Sequence, residues 1–215
     1  MSSSVDAGAE LARGGRLPRV ARRKQLLAAA QEVFVAQGYH AAAMDDIAER
    51  AGVSKPVLYQ HFPGKLELYL ALLDAQAAAL SSAVHNALAA TDDNRERVHG
   101  VLAAYFRFVD SDDSEGAFRL IFETDLGNDP AVRTRVEAVT QTTMKDVADT
   151  VASDTGLGRA EAELLATALT GAAQVAARWW LDSARPVSRD DAVRLLEALM
   201  WRGISNFPRE GEPRD

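Results

Sequence analysis

The chain has 215 residues, 47% of them hydrophobic, with no Cys and a net charge of −7. That composition excludes a disulfide framework, a thiolate metal site and a cysteine nucleophile, and it is too apolar for a disordered chain. The charge is unevenly placed: residues 1–66 carry nine Lys/Arg against six Asp/Glu, whereas the remainder carries fifteen against twenty-five. A basic start on an acidic body suggests that one end meets phosphate, although a basic tail without a partner fits the same numbers.

Residues 1–17, rich in Ser, Gly and Arg, read as a flexible basic arm. Between Leu11 and Lys24 stand six cations (Arg13, Arg16, Arg19, Arg22, Arg23 and Lys24) and no acid. From about Arg19, Leu26, Ala30, Val33, Phe34 and Gln37 recur at helical spacing, and Gly38 is placed to end that helix. A second helix is expected from about Met44 to Ala51, with Asp45 and Asp46 in the first turn, where the helix dipole favours anions. Gly52 breaks the pattern, Ser54 is placed as an N-cap, Pro56 suits a first turn, and a short helix runs to about His61. After Pro63-Gly64, the stripe Leu66, Tyr69, Leu72, Leu73, Leu80, Val84 and Leu88 marks one long helix. Further helices are expected over about 94–110, 115–124, 130–154, 159–183 and 188–206. Asp129-Pro130, Gly156-Leu157-Gly158 and Arg185-Pro186 punctuate them, and Ser188 with Asp191 resembles a capping box in which Asp replaces Glu. No alternating strand pattern and no internal repeat occurs. The expected fold is all-α: a three-helix N-terminal domain over 18–65, a larger helical domain over 66–209, and a tail over 210–215.

Two short helices joined through Ala51-Gly52-Val53-Ser54 match a helix-turn-helix, with Gly52 in the turn and Val53 between the helices. The second of them is sparsely apolar. Its outer face offers Lys55, Tyr59, Gln60 and His61, donors and a flat ring suited to phosphate oxygens, base edges and thymine methyls. Lys65, just beyond, is placed as a further phosphate clamp. The pattern alone also suits a small helical hairpin with ordinary surface side chains.

The run from Met44 to Leu68, with Asp46-Ile47-Ala48-Glu49-Arg50-Ala51-Gly52-Val53-Ser54 and Leu58-Tyr59-Gln60-His61-Phe62 inside it, closely resembles the DNA-binding signature of TetR-family regulators. Residues Ala28 to Tyr39 resemble that family's first helix. The close match covers roughly residues 22–70. The resemblance implies a homodimer of helical subunits, three helices for DNA and about six for effector binding and dimerisation. It also implies that Ser54, Lys55, Pro56, Tyr59, Gln60, His61 and Lys65 form the DNA-binding set, with Ser54 capping the recognition helix. One departure stands out: Ala41, Ala42 and Ala43 fill the stretch where the family usually has a Thr or Ser cap, a loss of about 1 kcal/mol in helix stability.

Beyond residue 80 the resemblance is one of helical layout. The stripe Leu165, Leu169, Ala172, Ala176 and Trp180, with Leu196, Met200 and Gly203, suits the paired helices that form the dimer interface in this family. A purely intramolecular core suits it too. The aromatics Tyr105, Phe106, Phe108, Phe118, Phe122 and Trp179 are candidates for an apolar effector pocket, with Gln141, Met144 and Gln174 as weaker ones. Each could equally be core.

The four His are widely spread without metal-ligand spacing, and Asp110-Ser111-Asp112-Asp113 lacks the Gly and Glu of a calcium loop. No nucleophile elbow or phosphate-cradling loop occurs. No enzyme, metal or cofactor is expected. The N-terminal residues lack a signal peptide's apolar core, and no run of about 18 apolar residues occurs, so a cytoplasmic protein off the membrane is expected. The expected function is a sequence-specific DNA-binding transcriptional repressor, released from a double-stranded operator by a small, mostly apolar effector. Its rivals are an effector-independent regulator and a helical interaction module.

Overall fold

The computed structural model of the protein describes residues 17–110, Leu126 and residues 129–202. Eight helices and no strand occur among them: α1 (Arg19–Ala41), α2 (Met44–Arg50), α3 (Lys55–His61), α4 (Lys65–Ala89), α5 (Asn94–Asp110), α6 (Pro130–Thr155), α7 (Arg159–Asp182) and α8 (Arg189–Arg202). The all-α expectation holds. The helix expected over 115–124, all of the arm but Leu17, and the tail lie outside the described residues.

Helix α1 buries Leu26, Leu27, Ala29, Ala30, Val33 and Phe34, the stripe read from its spacing. Gly38 takes φ 76°, a left-handed value that a side chain disfavours, and kinks the helix before a last turn. Gly52 takes φ 63° in the turn after α2, where Val53 N–H donates to the Ala48 carbonyl at 3.0 Å. Ile47, Ala48, Ala51 and Leu58 close the interior of this hairpin, with Ile47 and Leu58 fully buried.

The 25 residues of α4, about 37 Å of helix, belong to both halves of the molecule. Tyr69 packs edge-on against Phe34 of α1, while Asp74 takes Arg135 of α6 at 3.1 Å. The same helix packs along α5 and α6, and one contiguous apolar core runs from the first three helices into the C-terminal ones. Caps end the later helices where the punctuation placed them. The Asp129 carboxylate accepts the N–H of Ala131 at 2.8 Å, and Gly156 takes φ 68°. Ser188 Oγ accepts the Asp191 N–H at 3.1 Å and donates to the Asp191 carboxylate at 2.6 Å, so only half of the expected capping box forms.

Between α5 and α8 lies the buried carboxylate of Glu197, which accepts from Arg95 at 2.6 Å and lies 2.9 Å from the His99 ring. Burial pushes its pKa up, but the hydrogen bonds from Arg95 and His99 outweigh that and leave it below the usual carboxylate range.

Adjacent tryptophans on α7 have opposite fates. Trp180 is 2% exposed, donates its indole N–H to the Val187 carbonyl at 2.8 Å and meets Phe106 edge-on at 5.4 Å. Trp179 is 61% exposed. The interface role expected for Trp180 and the pocket role expected for Trp179 both conflict with these positions, because one residue along a helix is a rotation of about 100°. Trp180→Ala is expected to lower the unfolding free energy by about 3–5 kcal/mol. Chemical denaturation of the two proteins at matched concentration measures that loss.

Candidate nucleic-acid interface and ligand cavity

Leu58 anchors α3 to the interior, which turns the rest of the helix outward. Lys55, Pro56, Tyr59 and Gln60 are exposed and His61 is half-buried, so these expected DNA contacts share one accessible region. Ser54 is exposed at the N-cap position, but its hydroxyl makes no capping hydrogen bond; its carbonyl instead accepts the N–H of Val57 at 3.0 Å. The capping role expected for that side chain is absent. Lys55 pairs with Asp45 of α2, and that hydrogen bond raises the lysine pKa. Both groups are exposed, a setting in which a duplex phosphate competes readily for the ammonium.

Folding brings the basic start of α1 beside the end of α3. Arg23 lies 5.1 Å over the Phe62 ring. The pKa of His61 is lowered, first by burial and then by the charges of Arg19, Arg22 and Arg23. Gln25, which no sequence signal singled out, donates to the Ala51 carbonyl at 2.8 Å and closes the end of α2. Ala43, at the start of α2, supplies no side-chain cap, as the alanine run implies.

Lys65 sits differently from the expectation of a phosphate clamp. Its ammonium donates to the carbonyls of Tyr39 at 2.8 Å, His40 at 3.1 Å and Ala42 at 2.9 Å, and lies 4.6 Å over the Tyr39 ring.

In the C-terminal half, α4 to α8 line a partly open cavity of about 330 Å³. Val98, Val101 and Leu102 line one side, Val147 and Val151 another, and Leu165, Leu169, Met200 and Trp201 face them. Arg97 and Asp154 form an ion pair in its wall. None of the described aromatics expected in a pocket lines this cavity. Tyr105, Phe106 and Phe108 are core residues, and burial pushes the Tyr105 hydroxyl pKa up to about 12, offset in part by a hydrogen bond with Thr143. Gln141 is exposed, Met144 and Gln174 are half-buried, and Phe118 and Phe122 lie outside the described residues. Three residues expected at a dimer interface, Leu165, Leu169 and Met200, line the cavity. The valine stripes of α5 and α6 carried its signal, but a core stripe has the same spacing. No described helix is long and apolar enough to cross a membrane.

Residues 26–72 match the family described as bacterial regulatory proteins, tetR family, and residues 94–203 match the tetracyclin repressor-like C-terminal domain. The chain belongs to the TetR family. It is therefore a DNA-binding transcriptional regulator and not an enzyme. It is 48% identical over 196 residues to the HTH-type transcriptional activator FasR of Mycolicibacterium smegmatis, covering 91% of this chain and 89% of that protein. Among solved TetR-like folds, a regulator from Rhodococcus sp. RHA1 superposes with a TM-score of 0.64 at 30% identity, covering 89% of this chain and 100% of the other. FadR from Bacillus subtilis, solved in complex with stearoyl-CoA, superposes with a TM-score of 0.70 at 16% identity, covering 84% and 98%.

The position of His61 sets a pH dependence. Protonating it in the free protein is opposed first by burial and then by repulsion from three arginines, and phosphates that neutralise those arginines are expected to relieve the second part of the cost. Its pKa then rises on binding, protons are taken up, and affinity grows as pH falls. Operator affinity is expected to increase several-fold from about pH 8 to about pH 6. Fluorescence anisotropy at constant ionic strength should show that rise, with a flatter profile for His61→Gln.

Proposed function

We propose that this regulator binds a roughly palindromic operator as a homodimer and activates transcription under the control of an apolar, acyl-chain-like effector. The observation that carries the effector is the cavity, whose volume and aliphatic lining suit a small apolar molecule. A solid C-terminal domain would have favoured the effector-independent rival. Arg97, the cation in its wall, is already engaged by the Leu88 and Thr91 carbonyls, Asn94 and Asp154. An acyl chain therefore has apolar walls to occupy, while a charged headgroup is better accommodated at the mouth. The complex of Bacillus subtilis FadR with stearoyl-CoA supports a long acyl thioester as the first compound to test.

Activation is preferred to the repression expected from the sequence because FasR, alike over nine-tenths of this chain, is named an activator. Ser54, Lys55, Pro56, Tyr59, Gln60 and His61 are the proposed contacts, entering successive major grooves about 34 Å apart in the two subunits. Dimerisation is supported by an exposed apolar stripe on α7, where Leu164 is 70%, Val175 68% and Trp179 61% exposed. Ala168 and Ala172 lie exposed between them, and Leu195 and Leu199 of α8 add to the apolar surface. Of the residues expected there, Leu165 and Ala172 are exposed, Leu169, Ala176, Leu196 and Met200 are half-buried, and Gly203 lies outside the described residues. Effector binding acts through α5 and α6, which wall the cavity and pack along α4, the helix that carries the DNA-binding half. The ligand shifts that balance by its preference for one arrangement over the other.

Genome-wide capture with the purified protein should enrich one palindrome, and transcription in vitro from that site should rise when the protein is added. A fall would make it a repressor. Stearoyl-CoA is expected to change operator affinity in the natural protein, and Leu169→Trp, which fills the cavity, to abolish that response while DNA binding persists. An equal response in both proteins would remove the cavity from the mechanism. Val175→Glu is expected to convert a dimer to a folded monomer in sedimentation velocity, because a charge cannot be desolvated there without a partner.

A further inference from the structure

The C-terminal ends of α4 and α6 meet on one guanidinium. Neither helix has a basic residue in its last turn, although the last carbonyls of a helix lack intrahelical partners and the dipole there favours a cation. Asp154, in the last turn of α6, adds a negative charge where the dipole disfavours one. Arg97, from the start of α5, answers both ends. Its Nε donates to the carbonyls of Leu88 at 3.1 Å and Thr91 at 2.7 Å, while Nη1 donates to Asn94 at 3.0 Å and to the Asp154 carboxylate. Nη2 lies 3.3 Å from the exposed carboxylate of Asp92. The Arg97 side chain is 14% exposed, so its pairing with Asp154 is little screened. Leu88, Arg97, Val151, Asp154 and Thr155 all line the cavity, which places this ion pair beside the space an effector would fill.

We infer that Arg97 is a positioning residue that couples the cavity to α4: it ties the far end of that helix to Asp154 of α6, and so passes a change of cavity contents to the element that carries the DNA-binding helices. The inference rests on the cavity being the effector site. An occupant pressing on Val98 of α5 and Val151 of α6 changes the spacing of those helices, and Asp154, about one turn beyond Val151, moves with it. The guanidinium then follows its carboxylate or loses it, and its grip on the Leu88 and Thr91 carbonyls changes in either case. Apolar contacts along α4 are non-directional, whereas these hydrogen bonds are directional and are either made or broken. That gives the node two discrete arrangements, which coupling between distant sites requires. The planar fork of arginine suits the task, because Nε serves the end of α4 while Nη1 serves α6.

The test compares Asp154→Asn, Arg97→Gln and the double variant with the natural full-length protein on one operator duplex. Calorimetry first fixes the concentration of stearoyl-CoA that saturates each protein. Fluorescence anisotropy then gives the factor by which saturating stearoyl-CoA changes operator affinity, a quantity independent of how tightly the ligand is held. The coupling role predicts a factor of about tenfold or more in the natural protein and below about twofold in each variant. The double variant loses no more than either single one, because the two side chains act as a unit. A residue that merely stabilises the domain would lower the melting temperature and keep the factor. An undiminished factor in both single variants overturns the inference and leaves the effector reading standing. A variant that no longer binds stearoyl-CoA makes its residue a ligand contact and overturns the inference too. Amide exchange without ligand provides a second measurement. Asp154→Asn is expected to accelerate exchange at residues 86–91, a segment that Asp154 reaches through Arg97, and unchanged exchange there overturns the inference. If stearoyl-CoA leaves the operator affinity of the natural protein unchanged, the effector reading fails for that compound, and the exchange result alone decides the role of Arg97.

Discussion

Tyr69 of α4 meets Phe34 at 5.3 Å and Tyr39 at 5.1 Å, both edge-on, and this aromatic contact joins the DNA-binding helices to the rest of the molecule. Each such pair is worth about 0.5–1.5 kcal/mol beyond the area it buries, and each fully buried Leu adds about 1.5–3 kcal/mol. Leu68, Leu72 and Leu73, all buried on α4, extend the core beside it. Exposed ion pairs, of which Asp74 with Arg135 is one, are generally worth about 0–1 kcal/mol. The joint is therefore held by apolar packing, and polar links such as Gln76 to Gln31 at 2.6 Å chiefly specify its register. The joint matters because α4 is the continuous element that runs from the cavity wall at Leu88 to the helix-turn-helix.

Electrostatics divides the molecule in a way that the net charge of −7 conceals. Burial lowers the His61 pKa first, and the charges of Arg19, Arg22 and Arg23 lower it further. That unfavourable concentration of positive charge in the free protein becomes favourable once phosphates are present. Other cations of the same region are occupied: Arg50 pairs with Glu32, Lys55 with Asp45, and Lys65 with backbone carbonyls. These pairs belong to the free protein, and the exposed ones, Lys55 with Asp45 among them, can exchange for a duplex phosphate.

The helices of the C-terminal half were legible in position, but the destinations of their faces were not. Helical spacing identifies which residues share a stripe, yet the same spacing serves a core, a cavity wall or an exposed surface. Leu165, Leu169 and Met200 read as interface residues and line the cavity, while Leu164, Val175 and Trp179 carry the exposed apolar face. Aromatic residues misled for a related reason. Tyr105, Phe106 and Phe108 are large enough to fill the interior of α5's packing, and the space left for a ligand lies among shorter valines and leucines.

What the sequence by itself determined was local: the break in α1 at Gly38, which kinks the helix rather than ending it, the helix ends at Gly52, Asp129 and Gly156, the helix-turn-helix, and the outward residues of α3. Those features follow from backbone preference and from periodicity within one segment, so neighbouring residues suffice to specify them. What only the tertiary structure decided was which faces meet. Lys65 reaches residues 23 to 26 positions earlier in the chain, and the cavity exists because five helices converge without filling the space between them. Such contacts depend on crossing geometry and on the volumes of side chains distant in sequence, and no single segment encodes either.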